Sequence, residues 1–198
     1  MAFEDLTKLI DQPAARLLAM ANVRLDTKVE AAASAPVGTV LAELDEKSAK
    51  LDMMRLLSVA LPPRERIWWA CLAGRDIVAK KEIPSPTLEA AEKWVFKPSD
   101  ETRAAAQAAL DIAEIDDEAQ LCATAVGFFD DKLGPGEMAQ YPAPPGASQM
   151  AAFGMNMKAL ALHAHEIDAF AKVLLDRALD IARGGNGLKT AEAEESMA

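Results

Sequence analysis

Apolar positions recur at helical spacing along most of this chain, and the densest run lies between Pro63 and Lys81. There Ile67-Trp68-Trp69-Ala70-Cys71-Leu72-Ala73 is unbroken, with charged residues on both sides. Adjacent residues on a helix point about 100° apart, so Trp68 and Trp69 cannot share a face. A helix that is apolar in most directions belongs inside a domain. The pattern therefore predicts a core helix over 63–81.

Weaker helical signals flank it. Residues 3–10 suit a short helix, and Asp11 before Pro13 suits the cap of a second, carrying Leu17, Leu18 and Met20. Residues 22–35 read as a loop or weak helix. Val37, Val40, Leu41 and Leu44 share one face, and Leu51, Met54, Leu57, Ser58 and Leu61 follow on another. Pro62-Pro63 ends that segment and opens the next, since a first-turn residue needs no N–H partner. Ser85-Pro86 predicts a capped helix with Leu88, Ala91, Trp94 and Val95 inward. Pro98-Ser99-Asp100-Glu101 opens one with Ala105, Ala108, Ala109 and Ile112 as its apolar set. Asp116-Asp117 opens another through Leu121, Cys122, Ala125 and Phe128.

A proline- and glycine-rich connector, 134–147, interrupts the pattern and reads as a stiff spacer. Beyond it, Phe153, Met157, Leu160, Ala164, Ile167, Ala171, Leu174, Ala178 and Ile181 alternate steps of four and three, a heptad seam. A single helix of about 35 residues would span roughly 50 Å. The small edge Ala164, Ala171 and Ala178, with Leu174, is a candidate seam for a partner helix, including a second copy of the chain. Gly184-Gly185-Asn186-Gly187 stops the helix. The expectation is a single all-α bundle of six to eight helices with a long C-terminal helix. It divides into a helical extension and loop (1–36), the helical domain (37–183) and a disordered acidic tail (184–198).

Composition agrees. Apolar residues make up 51%, alanine is about one residue in five, and aromatics are only 5%, which favours closely packed helices over a sheet. The net charge of −10 argues against a nucleic-acid partner, because phosphates would repel such a surface. No stretch is apolar enough to span a membrane, and the acidic N-terminus lacks the layout of a signal peptide. A cytoplasmic location is expected, with Cys71 and Cys122 as buried free thiols.

Candidate chemistry centres on the 63–81 helix. Arg64, Trp68, Cys71 and Arg75 line one stripe, with Glu65, Trp69, Leu72 and Asp76 beside it. Arginine can stack on indole while forking onto a carboxylate, so Arg64, Glu65, Trp68, Trp69 and Arg75 form a candidate ligand or partner site. The plainer alternative is that these charges pair with neighbouring helices, in which case Arg64→Ala would harm folding first. His163 and His165 would lie about 200° apart on a continuous helix and could not face one metal ion. No metal, cofactor or catalytic residue is expected. The nucleophile elbow, phosphate-loop and dinucleotide fingerprints are missing.

The run Leu61-Pro62-Pro63-Arg64-Glu65-Arg66-Ile67-Trp68-Trp69-Ala70 resembles a Leu-Pro-x-Arg-Glu-x-x-Trp-Trp-Ala signature. That signature marks an uncharacterised bacterial family of small all-helical proteins. The resemblance runs from about residue 37 to 183. It implies a domain without an assigned activity and an association with type VI secretion. Together with the acidic surface and the seam, this points to a non-enzymatic adaptor, accessory or chaperone-like protein. The alternative is a small-molecule or peptide-binding protein, or an enzyme, using an Arg/Trp-lined pocket on the 63–81 helix.

Overall fold

A computed structural model describes residues 3–188. Among the described residues there are nine α-helices and no strand. They are α1 (Ala14–Met20), α2 (Val37–Glu46), α3 (Lys50–Ala60), α4 (Pro63–Lys81), α5 (Pro86–Phe96), α6 (Asp100–Asp111), α7 (Gln120–Gly127), α8 (Ala147–Leu162) and α9 (Ile167–Ala182). The fold is the expected all-α bundle with a long C-terminal helix. Both termini of the predicted tail and leader are described only in part: Gly184–Leu188 fold back against α4 and α9, and the rest of the 184–198 tail lies outside the described residues.

α4 is the axle. Pro63 starts it, Glu82 closes it in the left-handed conformation, and α5, α7, α8 and α9 pack around it. Trp69 is fully buried, and its Nε1–H donates to Leu174 O at 2.9 Å. Enclosing an indole removes about 200 Å² from water, worth roughly 5 kcal/mol. Gly74 lets α4 approach α7 and α5, because a Cβ there would sit 3.1 Å from both Cys122 Sγ and a Leu88 methyl.

The helix count exceeds the expected six to eight because the C-terminal run divides. A 3₁₀ turn, Ala164–Glu166, separates α8 from α9. His163 lies flat on Phe170 with ring centroids 3.7 Å apart, and its Nδ1 pairs with Glu166 at 3.0 Å. Lys80 Nζ donates to the terminal carbonyl of Leu162. A straight rod would overshoot the core. The turn lets α8 pack on α4 and α7 while α9 packs on α3 and α4. It also brings the two imidazoles within 6.4 Å of each other beside Glu166, which corrects the placement expected on a continuous helix.

The seam survives the break but faces inward. Ala171, Leu174 and Ala178 are buried in the chain's own core, and Ala164 sits exposed in the turn. Three of the four positions of the expected partner-helix seam are therefore occupied by packing within the chain.

Two other apolar sets point differently from expectation. Residues 3–10 form an irregular strap rather than a helix, with Lys8 N–H on Ala182 O and Ile10 N–H on Ala60 O. On α6 the buried positions are Arg103 and Ala106, while Ala105, Ala108 and Ile112 face outward. Arg103 forks onto Asp130 at 2.8 and 2.9 Å and stacks on Phe129, so a charged residue takes the inward face.

Candidate functional site

The first turns of α4 and the end of α5 build a small open notch. Arg64 and Trp68 lie one helical turn apart on α4, and Phe96 projects from the last position of α5. Trp68 and Phe96 meet edge to face with centroids 5.7 Å apart, and Phe96 remains 66% exposed. Behind them Ile181 and Asn186 close the back, enclosing about 250 Å³.

Each polar group is fixed by a specific partner. Trp68 Nε1–H donates to Asn186 O at 2.7 Å, which ties the segment after α9 across α4. The Arg75 guanidinium stacks 4.7 Å from the Trp68 ring, and its Nε–H donates to Glu92 at 2.6 Å. That bond with Glu92 raises the Arg75 pKa above its ordinary value, outweighing partial burial. Arg64 Nε–H donates to Val95 O at 2.7 Å. Its Nη groups bond to none of the described residues, and the side chain is exposed. Glu65 lines the same notch.

The five candidate residues therefore separate. Arg64, Glu65 and Trp68 line the notch, and Arg75 braces the indole from behind. Trp69 turns the other way into the core and cannot touch a ligand, as the 100° step between neighbours requires. Arg64 has no buried carboxylate partner, so the expected folding penalty for Arg64→Ala is corrected as well: it loses one bond to a carbonyl. Cys71 belongs to the core. Its hydrogen bond with the Cys122 thiol and its burial push its pKa up, away from the reactive thiolate.

Sequence reasoning missed three features. Phe96 ends a helix and gave no signal of exposure. Arg66 is buried without a carboxylate; its Nη groups reach Leu61 O and Ser148 Oγ, and burial lowers its pKa to about 10. Asp117 is buried and accepts from Ser85 Oγ, Thr87 Oγ1 and Ala119 N–H, so the predicted N-cap Ser85 also anchors a distant loop. The cap was legible; the long-range partner was not.

In chemical terms the notch offers an aromatic shelf, free guanidinium donors and a nearby carboxylate. Its volume falls below the roughly 300–1,000 Å³ of sites that engulf small molecules. It suits one apolar side chain of a larger partner, steadied by a polar contact at Arg64.

The architecture thus defines an all-helical domain with an aromatic surface notch. A family model described as a family of unknown function (DUF6931) matches residues 40–182, and the chain belongs to that family. The match runs from within α2 to the last residue of α9 and leaves α1 outside. No curated protein and no solved structure matches the chain.

Proposed function

We propose that this chain is a protein–protein interaction module, an adaptor or chaperone-like accessory that grips a partner segment at the Arg64/Trp68/Phe96 notch. The observation that carries the reading is the half-open aromatic pair beside a guanidinium with free donors. Aromatic and arginine side chains at a preformed pocket are the usual anchors of binding energy between proteins. The rigid backing supports the same view, since Arg75, Glu92 and Asn186 hold the indole before any partner arrives and lower the ordering cost of binding. A bacterial type VI secretion setting belongs to this proposal only through the resemblance of Leu61–Ala70.

The test is selection from a displayed peptide library on the wild-type protein and on Phe96→Ser. The wild type is expected to enrich peptides pairing one large apolar residue with a carboxylate. Those peptides should bind Phe96→Ser roughly 10- to 100-fold more weakly. Equal binding to both proteins would remove the notch from the account. Affinity capture from the native cell then tests the setting: components of a secretion apparatus recovered by wild type and lost with Phe96→Ser support it, and metabolic enzymes recovered by both oppose it.

A further inference from the structure

The far end of the bundle carries an apolar groove that the fold leaves open. Ile112, 80% exposed, and Ile83 of the α4–α5 connection line it, and Ile115, 102% exposed, stands between two further lining residues, Glu114 and Asp116. Between these walls lies a groove of about 430 Å³, floored by Ala109, Ala113 and Pro86. The strip continues along α6, where Ala104, Ala105 and Ala108 also face outward. These small side chains permit close approach of another backbone.

The groove is held in shape. Asp117 draws together the start of α5 and the α6–α7 loop by accepting from Ser85 Oγ at 2.6 Å, Thr87 Oγ1 at 2.8 Å and Thr87 N–H at 3.2 Å. One residue on, Glu118 bridges Lys81 of α4 and Lys158 of α8. The isoleucines are therefore displayed from a pinned loop.

Its rim is acidic. Glu114 and Asp116 line it, Glu82 and Asp111 adjoin Ile83 and Ile112 in the chain, all four are exposed, and none forms an ion pair among the described residues. From Asp100 to Glu118 the sequence holds seven carboxylates and one arginine, Arg103, which is already buried against Asp130. An apolar trough with unneutralised carboxylates on its edges is complementary to a helix with one apolar face and basic flanks.

We propose that this groove docks a basic amphipathic helix of another protein, its apolar face on Ile83 and Ile112 with Ile115 at the edge, and its lysines or arginines on Glu114 and Asp116. A second copy of this chain fits poorly, because it would bring an identical acidic rim and a net charge of −10. The chain's own residues 189–198 fit poorly for the same reason, with three glutamates against one lysine. The groove shares no residue with the Trp68 notch, and the proposal stands whether or not that notch binds.

The probe is a labelled leucine/lysine amphipathic helix of about 18 residues, titrated by fluorescence anisotropy. Its comparator is the same composition scrambled so that the apolar face is lost. The wild type should bind the patterned probe at least about tenfold tighter than the scrambled one. Ile112→Asn/Ile115→Asn should lose that margin at unchanged Tm. Glu114→Lys/Asp116→Lys should weaken binding and flatten its salt dependence. If the isoleucine pair fails to fold, Ile112→Ser serves, at a groove-lining residue that is 80% exposed. Equal affinity for the two probes, or an undiminished margin in the isoleucine variants, overturns the proposal. So does sedimentation showing a wild-type dimer that the isoleucine variants dissolve, which would assign the groove to self-association.

Discussion

α4 and α6 both carry apolar residues at helical spacing, and the bundle treats them in opposite ways. α4 is enclosed by α5, α7, α8 and α9, and its apolar residues face inward on nearly every side. α6 touches α5 and α7, buries only Arg103 and Ala106, and turns Ala105, Ala108 and Ile112 to water. Periodicity reports that a helix has an apolar face. Whether that face is covered depends on how many neighbours the topology supplies. An apolar face left over after packing is the more informative one about partners.

Trp69→Ala should have the largest effect. If α4 is the enclosed axle, losing this fully buried indole should cost about 3–5 kcal/mol in denaturant unfolding. A cost below about 1 kcal/mol would show α4 to be no more central than α6. Asp117→Ala comes next. It strips buried donors on Ser85, Thr87 and Ala119 of their acceptor, so a loss of about 1–3 kcal/mol is expected. Faster amide exchange confined to the α5 start and the α6–α7 loop would locate the damage.

A smaller effect should appear in acid. Hydrogen bonds from Lys158 and Lys81 lower the Glu118 pKa from 4.5 to about 2. A carboxyl depressed in the folded state stabilises the protein above its unfolded pKa, and the benefit fades as pH falls from about 4.5 toward 2. Glu118→Gln should flatten that part of the stability–pH curve. The partners are about a third exposed, so the difference at neutral pH should stay within about 1 kcal/mol. An unchanged acid limb would mean the bridge does not pin the loop. The smallest effect belongs to Ile112→Ser, expected within about 0.5 kcal/mol by thermal melt. A large loss there would mean that α6 has a hidden packing partner and resembles α4 after all.

Much of the fold was legible in residue order. Pro63 opens α4 and Ser85 caps α5, because caps and breakers act within a few residues of themselves. The heptad run holds within each helix, with Phe153 and Leu160 of α8 and Ala171, Leu174, Ala178 and Ile181 of α9 buried, but it is not continuous: Ala164 and Ile167 at the break are exposed. The turn at Ala164–Glu166 depends on His163 meeting Phe170 and on where α4 and α3 lie, which no local spacing encodes. The candidate site was half legible. Arg64, Glu65 and Trp68 came from spacing on one helix, whereas Phe96, Ile181 and Asn186 reached the notch only through folding.

Residue order is enough to make this chain helical and to set an unbroken apolar run, Ile67–Ala73, inside 63–81, since backbone propensity and side-chain period are local properties. It also determined the acidic character of residues 100–118. Packing decided that Trp69 is buried while Trp68 edges a notch, and that Ala171 and Ala178 are covered while Ala164 is not. It decided too that Ile112 and Ile115 stand in water. These outcomes depend on which helices become neighbours, and that follows from packing the whole chain around one core.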